Sequence, residues 1–140
     1  MTRNNGTNRR WPHVIVGGRC NNNCCFCVAN TQWTPRPIRE LIGAVGAAVR
    51  DGAHGFHMTG GELTCHPELN SFLRFVRSTR LPWSMATNGR LFATESNVRA
   101  FRKAGLVRAT VSLHGNRKVH DWLTGTEGFE QTLDGIKHLD

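Results

Sequence analysis

The sequence predicts an α/β fold in which four parallel strands alternate with helices. Three observations predict it. Short apolar runs and helix-period segments follow one another in a βα order four times over. Connections of this length favour parallel pairing through right-handed crossovers. Each predicted strand also ends in a polar or glycine-rich group, reading CNNNCCFC, GGE, TNG and SLHG in turn. In βα folds such strand ends gather on one face, where sites are built.

Taken in order, residues 1–12 are rich in Asn and Arg and read as a disordered basic arm. The first strand covers about His13 to Val16, and Gly17-Gly18 ends it and permits a sharp turn. A loop carrying the cysteines runs to about Arg36. Pro37 suits the first turn of a helix, where its missing N–H costs nothing. Ile38, Leu41, Ile42, Val45, Ala48 and Val49 recur at helical spacing, giving a helix over 37–50 that Asp51-Gly52 stops. The second strand, Gly55 to Thr59, runs into Gly60-Gly61-Glu62. Pro67 and Glu68 open a second helix with Leu69, Phe72, Leu73 and Val76 on one face. Leu81-Pro82 turns the chain into a third strand, Trp83 to Thr87, ending at Asn88-Gly89. A third helix over 95–104 carries Val98 and Phe101 and stops at Gly105. The fourth strand, Arg108 to Leu113, ends at His114-Gly115. A polar loop with a short helical turn near Val119 to Leu123 leads to a last helix over 127–139, with Phe129, Leu133, Ile136 and Leu139 inward.

The chain's 140 residues make one domain with room for a core, and 39% hydrophobic and 20% charged residues are ordinary for a soluble globular protein. No apolar run reaches the roughly 18–20 residues that span a bilayer, and the polar, basic N-terminus is no secretory signal. The expected location is the cytoplasm. The net charge of +8 reads as a solvated basic surface, because no aromatic-interleaved basic motif supports nucleic-acid binding.

Four of the five cysteines fall within eight residues. A disulfide framework spreads its cysteines out, so clustered thiols in a reduced compartment point to a metal. Cys20, Cys24 and Cys27 form a C-x3-C-x2-C pattern just after the first strand. Zinc sites usually close with four ligands, often as paired knuckles, and no second pair is present. A [4Fe–4S] cluster held by three thiolates keeps one iron open for substrate or cofactor. A structural zinc loop stays open as the alternative on spacing alone. Phe26 is placed to shield such a cluster. Cys25 is out of register, and Cys65, just past Glu62, reads as an ordinary small side chain.

At these residues the sequence resembles the radical S-adenosylmethionine (radical SAM) superfamily. The resemblance rests on Cys20, Cys24 and Cys27 with an aromatic before the last cysteine. It extends to Thr59-Gly60-Gly61-Glu62 with His66-Pro67-Glu68-Leu69, to Thr87-Asn88-Gly89, and to Val111-Ser112-Leu113-His114-Gly115, where Asp is more usual at position 114. The resemblance implies a partial (βα) barrel, a [4Fe–4S] cluster on Cys20, Cys24 and Cys27, and S-adenosylmethionine chelated by the open iron. It implies reductive cleavage to a 5′-deoxyadenosyl radical that abstracts hydrogen from an unknown substrate. A one-electron reductant of flavodoxin or ferredoxin type is the implied partner. Gly60 and Gly61 would let the backbone approach S-adenosylmethionine, and Glu62 or nearby carbonyls would accept from its ammonium group. Ser112 and Asn88 would reach its ribose or carboxylate. His114 and His120 are candidates for substrate contact, set against a surface or loop role.

The family's barrel usually has six strands, and residues 13–140 supply four. The expectation is an incomplete core, the N-terminal portion of a longer protein or a truncated product, with adenine binding and activity in question. Two other functions compete: an iron–sulfur binding fragment or degenerate relative without turnover, and a zinc-dependent RNA-binding domain. Glycines and a glutamate after the second strand favour the enzyme over zinc, which has no use for them.

Overall fold

The computed structural model describes residues 11–28 and 34–140. The arm expected over 1–12 falls outside them up to residue 10. Trp11 is packed so closely that a Cβ on Gly55 would stand only 2.5 Å from it, and the Pro12 carbonyl accepts from His57 N–H at 2.9 Å.

The elements run β1 (His13–Ile15), α1 (Ile38–Arg50), β2 (Phe56–Thr59), α2 (Leu69–Thr79), β3 (Trp83–Thr87), α3 (Glu95–Lys103), β4 (Leu106–Val111), α4 (Arg117–Thr124) and α5 (Phe129–Leu139). Two 3-10 turns, Leu63–Cys65 and Arg90–Ala93, follow β2 and β3. The strands form one parallel sheet in the order β1-β2-β3-β4. Sequential order with crossovers of one hand puts the helices on one face of that sheet.

Side chains alternate across the strands, so one set meets the helices and the other does not. Val14, Phe56, Met58, Trp83, Met85 and Leu106 pack against Leu41, Val45, Phe72, Val76, Val98 and Phe101. Trp83 is the centre of this core. It is fully buried, stacks on Phe56, meets Phe72 edge-on, and donates from Nε1 to the Ala104 carbonyl at 2.8 Å. On the helix-free face His13, His57, Ser84 and Arg108 stand in register across all four strands.

The structure corrects the sequence reading at the C-terminal end. β4 is Leu106–Val111, two residues earlier than expected. Gly105 (φ +93°) turns the chain so that Leu106 fills the core, and the alternating pattern fits either register. Ser112 is thereby left just past the strand, its N–H donating to the Thr87 carbonyl at 3.1 Å. The short turn near Val119 is a full helix, α4, capped by Asn116 and ended by Gly125 at φ +63°. On α5 the buried face is Thr132 and Gly135, with Phe129, Leu133, Ile136 and Leu139 only partly covered. Small residues are required there because Gly135 lies directly on the Gly89 carbonyl.

Candidate functional site

The ends of all four strands converge as the βα pattern requires. One cleft of about 170 Å³ is lined by Cys20, Cys24 and Cys27 from the loop after β1, by Gly60, Gly61 and Glu62 after β2, by Asn88 after β3, and by Ser112 and His114 after β4. The three cysteines and the residues expected to meet S-adenosylmethionine thus share it with His114, whereas His120 is not among its lining residues. A larger groove, about 450 Å³, runs along the open edge of β4 between Val107 and Leu139 and holds none of them.

The glycines have a definite role. Gly61 N–H donates to the Gly17 carbonyl at 2.6 Å and Glu62 N–H to the Arg19 carbonyl at 2.8 Å. A Cβ on Gly61 would stand 2.5 Å from the Arg19 carbonyl oxygen. Gly60 adopts φ +111°, a region that favours glycine. What these residues admit in this structure is the backbone of the cysteine loop, which is bonded directly to the loop after β2.

Glu62 is buried, and its carboxylate is taken up within the chain. Oε1 accepts from Thr64 N–H (3.1 Å), Thr64 Oγ1 (2.8 Å) and Thr87 Oγ1 (3.1 Å); Oε2 accepts from Thr87 Oγ1 (3.0 Å) and Asn88 N–H (2.7 Å). A carboxylate offers about four lone-pair sites, so these donors use its capacity. Glu62 is a strap between β2 and β3.

In the cysteine loop, Cys27 N–H donates to the Cys24 carbonyl at 3.1 Å, a tight turn that keeps these two close. Cys20 Sγ accepts from Asn22 N–H at 3.4 Å, and the Asn88 amide stands 4.0 Å from it. Burial pushes the Cys20 thiol up, with Glu62 and Cys27 adding to the effect and the Asn22 N–H opposing it. Burial, then the neighbouring Cys20 and Cys27, push Cys24 up. Cys65 is pushed up by burial and then by Glu62 and Cys20, which places it beside the loop. Cys25 is exposed, its N–H held by the Leu123 carbonyl at 3.0 Å.

Among the described residues no three His, Cys, Asp or Glu side chains converge as a single-ion site. A cubane asks for something different, since each thiolate takes its own iron at a separate corner. Three thiols lining one cleft match that requirement in donor type.

His120 is buried, not at the surface as expected. Its Nδ1 accepts from His114 N–H at 3.2 Å, so the proton sits on Nε2, which has no partner among the described residues. Phe26, His114, His120 and Phe129 follow one another in ring contact from the cysteine loop to α5. Sequence reasoning named Thr87 only as part of Thr87-Asn88-Gly89 and missed Arg90 and Thr124, though all three hold the cleft together. Only the run of three asparagines between Cys20 and Cys24 hinted that the spacer had partners.

The Radical SAM superfamily matches residues 14–140. A probable GTP 3′,8-cyclase of Thermococcus kodakarensis is 32% identical over 132 residues, covering 89% of this chain and 41% of that protein. An AdoMet-dependent heme synthase of Methanosarcina barkeri is 33% identical, covering 86% of this chain and 36% of that protein. Among solved structures, Streptococcus suis SuiB bound to its precursor peptide SuiA superposes with a TM-score of 0.74 at 21% identity, covering 91% of this chain and 30% of that chain. The chain spans less than half the length of the curated relatives it matches.

Proposed function

Because the chain belongs to the radical SAM superfamily, we propose that its strand-end cleft holds a [4Fe–4S] cluster on Cys20, Cys24 and Cys27 and binds S-adenosylmethionine against Gly60, Gly61, Asn88 and Ser112. The carrying observation is that these residues, drawn from four strand ends, line one cleft. A cluster held by Cys20, Cys24 and Cys27 would supply the one-electron chemistry for reductive cleavage of S-adenosylmethionine. The residues of the chain bind, orient and exclude water. Cys20, Cys24 and Cys27 would each give up a proton on loading. Asn88 and Ser112 offer polar groups at the cleft wall. Glu62 holds β2 and β3 at fixed separation. The electron comes from a one-electron reductant of the flavodoxin or ferredoxin class. Among the described residues no helix is long and apolar enough to cross a membrane.

The helix-free face favours an anionic substrate. His57 Nδ1 and Ser84 Oγ share a hydrogen bond of 2.8 Å, His13 stands beside His57, and Arg108 follows in the same row. Burial, then the charges of His13 and Arg108, hold the His57 imidazole below its ordinary range. Several curated relatives are named GTP 3′,8-cyclases, and a nucleoside triphosphate is an anion of the right class. GTP is expected to raise the melting temperature of the wild-type chain and not that of Arg108→Ala.

The test of the main reading is anaerobic reconstitution with iron and sulfide. The reduced protein is examined by electron paramagnetic resonance with and without S-adenosylmethionine, and the mixture is assayed for 5′-deoxyadenosine. A cluster signal that S-adenosylmethionine perturbs, with cleavage product, supports the enzyme. A signal that it leaves unmoved, with no product, reduces the chain to an iron–sulfur binding module. Zinc in place of iron removes the cluster reading.

A further inference from the structure

We propose that Arg90 is a positioning residue that fixes the cysteine loop for the cluster, acting through the three asparagines between Cys20 and Cys24. The inference rests on the cluster reading above, and it concerns residues that the superfamily motifs leave unassigned.

Arg90 opens the 3-10 turn directly after Asn88-Gly89. Its Nη1 donates to the Asn21 carbonyl at 2.7 Å and to Asn22 Oδ1 at 2.9 Å, while Nε donates to Gln131 Oε1 on α5 at 2.7 Å. Its own N–H is held by Asn88 Oδ1 at 3.1 Å, and the Asn88 amide donates to Asn21 Oδ1 at 2.6 Å. The other side of the loop rests on the end of α4, where helical carbonyls lack partners of their own. Asn23 N–H donates to the Thr124 carbonyl at 2.8 Å, and Thr126 Oγ1 donates to Asn22 Oδ1 at 3.2 Å. Gly125 makes this approach possible: a Cβ there would stand 2.7 Å from the Asn23 carbonyl oxygen.

Each asparagine is therefore held from outside the loop, with Arg90 serving both Asn21 and Asn22. Asn21 is held from the end of β3, Asn22 by Arg90 and the α4–α5 turn, and Asn23 by α4. A guanidinium is suited to the central role because its planar fork serves Asn21, Asn22 and Gln131 from two nitrogens held in fixed geometry, which the single nitrogen of an ammonium does not reproduce. The consequence reaches the sulfur. With Asn21 and Asn22 fixed, Asn22 N–H points at Cys20 Sγ at 3.4 Å. Hydrogen bonds to ligand sulfurs and the shell that orients them set both the affinity and the electronic state of iron–sulfur sites.

The experiment compares wild type with Arg90→Met, Arg90→Lys and Gly125→Ala after anaerobic reconstitution. It reads iron loss to a chelator, the electron paramagnetic resonance signature of the reduced cluster, and thermal unfolding of the iron-free chain. Arg90→Met is expected to unfold close to wild type, to lose iron about 10–100-fold faster, and to show a changed signature. Arg90→Lys, which keeps the charge and loses the fork, is expected to resemble Arg90→Met, and Gly125→Ala to reproduce the defect from the other side of the loop. Wild-type iron retention and signature in Arg90→Met would overturn the proposal. Full rescue by lysine would overturn it as well, since charge and not geometry would then matter. Iron loss that merely tracks a drop in thermal stability would make Arg90 an ordinary structural residue. Should wild type take up no iron, the cluster reading falls, and the clamp is judged on the iron-free chain: faster alkylation of Cys20 in Arg90→Met supports it and an unchanged rate overturns it.

Discussion

Asn88 N–H donates to Glu62 Oε2 at 2.7 Å, joining the end of β3 to the end of β2 beneath the cleft. This bond belongs to a buried set in which one carboxylate also serves Thr64 and Thr87. Replacing Glu62 by Ala strands those donors away from water, at roughly 1–3 kcal/mol for each group left unsatisfied. Glu62→Ala is expected to lower the melting temperature more than Glu62→Gln, which keeps an acceptor oxygen. Thermal unfolding of the iron-free chain measures this, and equal stability in all three proteins would contradict the strap.

The cluster ligands separate from the other thiols by substitution. Cys20→Ser, Cys24→Ser and Cys27→Ser are each expected to lose most of the iron bound after reconstitution, whereas Cys25→Ser retains it. Because burial raises Cys20 and Cys24, less of each is thiolate at neutral pH than in a free cysteine, which titrates near about 8.5. Alkylation of these two thiols in the iron-free chain is therefore expected to accelerate through a midpoint above that value. A midpoint below it would show that burial does not control them.

Much of the fold was legible because local signals and packing agree. Trp83 to Thr87 lies between Leu81-Pro82 and Asn88-Gly89, and the strand occupies those residues. The site was legible as positions, since strand ends in a parallel sheet must share a face. Roles were less so. From sequence Glu62 is an expected acceptor for the ammonium group of S-adenosylmethionine, and only the tertiary approach of Thr87 and Asn88 shows the bonds its carboxylate makes within the chain. His120 sits in a polar stretch, and nothing local tells that Phe129 and His114 enclose it. The register of β4 was ambiguous because an edge strand has one partner to discipline it.

Gly61 tests the contact between the loops after β1 and β2. Its substitution by Ala places a methyl group 2.5 Å from the Arg19 carbonyl oxygen and 2.8 Å from the Gly18 carbonyl carbon. Backbone cannot yield as a flexible side chain would, so the loops must separate and the bonds from Gly61 N–H and Glu62 N–H weaken. Gly61→Ala is expected to cost about 1–3 kcal/mol, the usual range for overpacking, and to speed alkylation of Cys20. Gly43→Ala, on an open face of α1 with nothing within 4 Å of the added Cβ, is the control and should be neutral or stabilising.

Acid sensitivity should trace to the buried His120 and the half-buried His57. Burial, then the charges of His114 and Arg90, hold His120 below its ordinary range, with Asp121 opposing them. His57 is lowered in the same sense. A histidine lowered by folding takes up its proton more readily when unfolded, near about pH 6.5. The unfolded chain therefore binds more protons as pH falls through that value, and stability declines until the folded group titrates too. Protonating His120 also turns Nδ1 into a donor facing the His114 N–H that it accepts from at 3.2 Å. The melting temperature is expected to hold above about pH 7 and to fall toward pH 5, a window in which ordinary carboxylates stay ionised. Each linked proton contributes a slope of up to about 1.4 kcal/mol per pH unit. His120→Gln should flatten the decline, because a neutral amide has no proton to gain. An unchanged slope in that variant would assign the acid sensitivity to His57 or to groups elsewhere in the chain.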